Sequence, residues 1–155
     1  LGLGQLKQWI YLLSFKQDDG SMPDELIKIS FLRATFASEL LEYAQDMNIS
    51  RSEAYLLGMF STLGKLMRVP LEDALEQLPI SDEIKLALLK KEGRTGFLYK
   101  LILSYEKADW KTMSSCAAEL GIPQSVIAQK YFECVESVNN IWNGLTQVDN
   151  SASEE

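Results

Sequence analysis

The stretch from Ala54 to Met67, AYLLGMFSTLGKLM, is apolar or small at almost every position, with Lys65 the exception. A helix made from such a run has no polar face to give to water, so it must be covered on all sides. A chain of 155 residues can provide that cover within one domain, without disulfides or metal. The segment therefore predicts a central helix with others packed around it. Its entrance is marked by Ser50 and Glu53, which have the spacing of a capping box. Pro70 marks its end.

The remaining segments read as the surrounding helices. Leu3, Leu6, Trp9 or Ile10, and Leu13 recur at steps of three and four, which predicts a first amphipathic helix closed by the turn residues KQDDGS. Ser21, with Asp24 three places on and Pro23 in the first turn, then opens a long helix. Leu26, Ile29, Phe36, Leu40, Tyr43 or Ala44, and Met47 form its inner side, and Ile27, Phe31, Leu32 and Leu41 widen that side enough for more than one neighbour. After Pro70 comes a short helix from Leu71 to Leu78. The next is capped by Ser81, has an acidic start and a lysine-rich end suited to the helix dipole, and stops at Gly93. TGFLYKLILSYEKA forms another. Asp109 caps the one after, which ends at Gly121, and Pro123 opens a last long helix reaching about Trp142. The polar, acidic TQVDNSASEE reads as a frayed tail, residues 146–155, behind a helical domain over residues 1–145. Period-two alternation and solenoid-length repeats are both missing, so the expected class is all-α, a multi-helix bundle.

Histidine does not occur in the chain. That removes Ser–His and Cys–His nucleophile pairs and histidine-containing zinc sites. Carboxylates could still do chemistry, but Glu39 and Glu42, Glu72 and Asp73, and Asp82 and Glu83 sit where solvated faces and helix starts place them. LGLG at Leu1–Gly4 and GRTG at Gly93–Gly96 have paired glycines without a preceding strand or a Gly-Lys-Ser/Thr ending, so they do not spell a phosphate loop. No catalytic residue, metal site or cofactor follows. Cys116 and Cys134 lie on helical segments and read as structural thiols of a reducing cytoplasm.

The net charge of −7 disfavours a general grip on phosphate backbones, and nucleic acid is not the expected partner. One segment competes with that reading. In MSSCAAELGIPQSVIAQKYFECV, Met113 to Val135, the residues Ala117, Gly121 and Ile127 fall where a DNA-binding helix-turn-helix places its small contact, its turn glycine and its buried aliphatic. Gln124, Gln129 and Lys130 would be its donors to DNA, against the acids Glu119, Glu133 and Glu136. A helical hairpin with a glycine stop and a proline start accounts for the same letters and is the preferred reading. Trp9, Trp110, Trp142, Tyr11, Tyr99, Tyr105 and Tyr131 could line an apolar cleft, though core and half-core roles explain them as well. No segment reaches the roughly 20 apolar residues of a membrane span, and the apolar opening LGLGQLKQWIYLLSF lacks the basic start and small-residue cleavage site of a signal peptide. The expected compartment is the cytoplasm. A chain that opens on Leu1 rather than Met is expected to be a piece of a longer one.

Several stretches carry a resemblance in their order and spacing: LGLGQLKQWIYLL, LRATFASELLEYAQ, SEAYLLGMFSTLGKLMRVPLEDALEQLPI, EIKLALLKKEGRTGFLYKLILSYEKADW and QKYFECVESVNNIW. Together they resemble the HDOD domain, the HD-related output domain of bacterial signalling proteins. They are most similar to the C-terminal HDOD half of EAL–HDOD proteins, whose N-terminal half is of the cyclic-di-GMP phosphodiesterase type. The family's opening helices would be missing or lie before Leu1. The resemblance implies an HD-like helical bundle, generally without the catalytic residues of HD phosphohydrolases, that acts as a regulatory or protein-interaction module. Under it, Ser61 and Thr62 stand where an HD enzyme has its His and Asp metal ligands, and Gly64 and Lys65 match the residues that follow. A hydroxyl is a poor metal ligand beside imidazole and carboxylate, but it can bond back to a carbonyl one turn earlier and keep the helix intact. Many EAL–HDOD members carry an acid near Gly64, where this chain's glycine reads as allowing close helix approach. The expected partners are another protein, an adjoining EAL domain of the same polypeptide, or a second copy in a homodimer, with no membrane.

Overall fold

The computed structural model describes residues 24–76 and 78–152. The expected first helix around Leu3–Leu13 and the cap at Ser21 and Pro23 lie outside them. The described residues form eight helices and no strand, as the all-α reading requires. They are α1 (Asp24–Leu41), α2 (Arg51–Phe60), α3 (Leu63–Met67), α4 (Leu71–Glu76), α5 (Asp82–Lys90), α6 (Gly93–Glu106), α7 (Trp110–Leu120) and α8 (Gln124–Ala152).

Local chemistry sets most of the boundaries. The Ser50 side chain accepts from the Glu53 N–H while the Glu53 carboxylate accepts from the Ser50 N–H, so the capping box at α2 is complete. Ser81 accepts from the Ile84 N–H at the start of α5. Asp109 accepts from both the N–H and the hydroxyl of Thr112 at the start of α7. Gly121 closes α7 in the left-handed region at φ 71°, and its N–H and that of Ile122 cap the carbonyls of Ala118 and Ala117. At the end of α5 the left-handed position belongs to Lys91, and Gly93 opens α6 instead of ending α5.

Two expectations about helix extent are corrected. The Ala54–Met67 run is not one central helix but two, α2 and α3, divided at Ser61–Thr62. The last helix runs past Trp142 to Ala152, through part of the expected tail, because no proline or capping signal stops it there. The hub of the bundle is α1, which packs most closely on α2 and also meets α8 and α6. Its fully covered line contains Ala34, Ala37 and Leu40, which face Ala54 and Leu57 of α2 in one continuous core. Gly58 makes this approach possible: a Cβ there would stand 2.2 Å from the Ala34 nitrogen and 2.3 Å from the Arg33 carbonyl carbon. On the far side α6 packs on α7 and α5, with Leu98, Leu101 and Ile102 filling the space.

An exposed loop joins α1 to α2, and Arg94 holds it. Its guanidinium donates to the Gln45 carbonyl from Nε at 3.1 Å and Nη2 at 2.6 Å, and from Nη2 to the Glu119 carbonyl at 3.1 Å. The Gln45 N–H in turn donates to the Leu120 carbonyl at 2.8 Å.

Candidate functional site

The break between α2 and α3 contains the two positions that the HD comparison singles out. Thr62 is buried and lies outside helical geometry at φ −105° and ψ 2°, so its side chain swings toward α1. There its hydroxyl pairs with that of Ser30, one turn before Ala34. Ser30 donates its own hydrogen to the Leu26 carbonyl at 2.8 Å, so Thr62 must be the donor between the two hydroxyls. Ser61 behaves as expected and donates to the Gly58 carbonyl at 2.6 Å. It also accepts from Nη1 of Arg33 at 3.1 Å.

Arg33 closes the site. Its Nε and Nη2 make a two-pronged pair with the Glu106 carboxylate, at 2.8 and 2.9 Å. The side chains are only 15% and 22% exposed, which places this pair among the stronger ionic contacts of the molecule. The phenol of Tyr99 is pushed above its ordinary value, first by burial and then by Glu106, while Arg33 pulls it back down. The junction therefore joins α1, the α2–α3 break and α6 through a buried hydroxyl pair and, nearer the surface, the Arg33–Glu106 pair.

This arrangement has little to offer a cation. Both hydroxyls already have partners, and the Glu106 oxygens are both taken by a guanidinium that would have to leave before a metal could use them. No cluster of three or more His, Cys, Asp or Glu suited to a metal ion occurs among the described residues. Gly64 is buried, and a Cβ there would stand 2.9 Å from the Val69 carbonyl oxygen and 3.0 Å from the Leu71 nitrogen and Cα, so it admits the returning chain after α3 and the first residue of α4. Lys65 points to solvent and takes no part in the junction. Sequence reasoning found Ser61 and Thr62 but missed Ser30, Arg33 and Glu106. Ser30 and Arg33 share a helical face at a three-residue step, which was the available signal; Glu106 lies 73 positions from Arg33 and left none.

The helix-turn-helix segment forms a hairpin of α7 and α8 with Ala117 and Ile127 buried in the core. Its expected donors face different ways. Gln124 is exposed. Gln129 donates to one Glu133 oxygen at 3.1 Å, while Lys130 reaches the other at 3.1 Å and leans over the Tyr43 ring in the turn after α1. A recognition helix whose lysine and glutamine are held by its own acid is poorly suited to meet phosphate, and DNA binding is not favoured.

The aromatic residues come together only in part. Trp110, Tyr105, Tyr131 and Phe132 form a chain of edge-on or tilted rings, with Phe36 beneath Tyr105 and Tyr131. Tyr99 is buried apart from them, and Trp142 lies under the Lys28 ammonium. Trp9 and Tyr11 lie outside the described residues.

With this geometry in place, comparison with known proteins gives the chain its relatives. It shares ancestry with curated bacterial proteins. Over 133 residues it is 35% identical to the cyclic di-GMP phosphodiesterase CdgJ of Vibrio cholerae, covering 86% of this chain and 31% of that protein. Over 145 residues it is 32% identical to the uncharacterized protein YuxH of Bacillus subtilis, covering 91% of this chain and 34% of that one. The chain thus spans about a third of the length of the curated relatives it matches. No family model matches it, and no solved structure does. None of the helices among the described residues is long and apolar enough to cross a membrane.

Proposed function

We propose that this chain is a non-catalytic regulatory and docking module of the HDOD type, part of a cytoplasmic bacterial protein of cyclic-di-GMP signalling. The observation that supports the reading is the Ser61–Thr62 junction: at the two positions that the HD resemblance would give to metal ligands, the hydroxyls are engaged by Gly58, Ser30 and Arg33, and Arg33 is in turn held by Glu106. The name of the Vibrio cholerae relative supports the signalling context. The match to only a third of each relative leaves room for an EAL-type domain in the rest of the polypeptide. In this reading the module works by docking, either to that domain or to another protein surface. A signal received elsewhere in the polypeptide shifts the docking equilibrium by binding one arrangement better than the other.

The test is turnover. The purified chain is incubated with cyclic-di-GMP, and separately with nucleotides, in the presence of manganese or magnesium. No hydrolysis above buffer is expected, and product formed in proportion to the chain would sink the proposal.

A further inference from the structure

The ring chain at the α7–α8 hairpin ends in two of the most exposed apolar side chains among the described residues, Phe132 at 70% and Trp110 at 53%. Successive ring centroids from Trp110 through Tyr105 and Tyr131 to Phe132 are 5.3, 4.6 and 6.3 Å apart, so one continuous aromatic strip connects the two. Such strips with polar rims mark interaction surfaces, and Trp and Tyr are the side chains that most often dominate them. The charges at its two ends differ in sign. Exposed Lys107 and Lys111 flank Trp110, while the intervening Asp109 is turned into the start of α7 to hold Thr112. Exposed Glu136 lies one turn beyond Phe132 on the same face of α8.

We propose that this strip is the face through which two copies of the chain pair about a two-fold axis. An axis passing between Tyr105 and Tyr131 lays Trp110 of each copy on Phe132 of the other and sets Lys111 against Glu136 twice. A surface that carries its own complement in this way is what an isologous interface requires. The rest of the molecule argues for the same choice. At a net charge of −7 two copies repel each other over most of their surfaces, and a strip with balanced ends is where they can approach. This inference rests on the reading of the chain as a docking module and names its partner.

Sedimentation equilibrium of the 155-residue chain tests it, with circular dichroism to establish that each variant keeps its helices. The wild type is expected to dimerise reversibly, more tightly as salt screens the overall repulsion. Phe132→Ser is expected to weaken the dimer at least about tenfold. Lys111→Glu and Glu136→Lys each weaken it alone, because each places like charges together twice. An equimolar mixture of these two variants restores dimer, since both contacts then pair opposite charges. A wild type that stays monomeric to about millimolar concentration, near the weakest specific affinities, would overturn the dimer. So would a dimer indifferent to Phe132→Ser, or a mixture that behaves as the average of its components. Turnover in the assay above would remove the docking-module reading without altering these masses, so the two failures are distinguishable.

Discussion

Replacing Gly58 with alanine puts one methyl group into the close contact between α1 and α2. The new Cβ would lie 2.2 Å from the Ala34 nitrogen, 2.3 Å from the Arg33 carbonyl carbon and 2.4 Å from the Arg33 carbonyl oxygen. Comfortable separations begin near 3.5 Å, so α1 and α2 must part by about 1 Å. All three obstructing atoms are backbone, so no side chain can swing aside to make room. Overpacking of this kind costs about 1–3 kcal/mol and occasionally more. The upper end applies here because the residues being separated, Ala34, Ala37, Ala54 and Leu57, have no exposure at all. Alanine's better helix propensity returns about 1 kcal/mol, which leaves a net loss of about 2 kcal/mol. Gly144 is the matched control: it is exposed on α8 with nothing within 4 Å of its would-be Cβ. The same substitution there keeps the propensity gain without the clash. Urea unfolding should give Gly58→Ala a lower midpoint at an unchanged slope, a melting temperature lower by about 4–8 °C, and Gly144→Ala a midpoint at or above wild type. A Gly58→Ala chain as stable as the wild type would show that the helices are not held at this distance, and the reasoning would fail.

Two further predictions concern the buried polar groups. Burial pushes the Cys134 thiol up to about 12 from 9.0 and the Tyr55 phenol up to about 12 from 10.0. Below about pH 8 both stay protonated whether the chain is folded or not, and their full contribution to stability is present. As pH rises from 9 towards 12 the unfolded chain ionises first, so stability should fall by up to about 1.4 kcal/mol per pH unit for each group. Urea midpoints measured from pH 8 to 11 should show this decline, with a shallower fall in Cys134→Ala; a level profile to pH 11 contradicts it. At the α2–α3 junction, Thr62→Val removes one donor while Ser30 keeps its bond to Leu26, and the loss should be about 1 kcal/mol. Arg33→Met strips Glu106 of both its partners and should cost about 2–3 kcal/mol. The reverse order in denaturant titrations would mean that the hydroxyl pair, not the ion pair, holds the junction.

Legibility in the sequence follows the range of the forces involved. Ser50 with Glu53, Ser81, Asp109 and Gly121 were readable because a cap acts on groups within one turn of itself. The division at Ser61–Thr62 was not, since two small hydroxyl residues in an otherwise apolar run can bond back to their own helix and leave it unbroken. What breaks the helix is the pull of Ser30 and Arg33 from a different helix, a tertiary contact that outweighs local preference. The inner line of α1 was read only in part: Phe36 and Leu40 are buried as expected, Tyr43, Ala44 and Met47 lie beyond the helix end at Leu41, and the rest was missed for a related reason. Large side chains such as Leu26 and Ile29 promised the core, yet they are half-covered, while Ser30, Ala34 and Ala37 are the buried ones. Small residues give a weak hydrophobic signal, but they are what a close helix contact needs.

The Arg94 clamp ties together the fates of distant backbone segments. Gln45 lies in an exposed loop with no helix of its own, where amide hydrogens ordinarily exchange with solvent almost freely. Its N–H ends on the Leu120 carbonyl, and its carbonyl is held by the same guanidinium that holds Glu119. The loop and the end of α7 must then open as one event, and the Gln45 and Ile122 amides should share a single protection factor. An irregular segment acquires the persistence of a helix terminus, and its slow exchange becomes a signal that three parts of the chain, far apart in sequence, have come home.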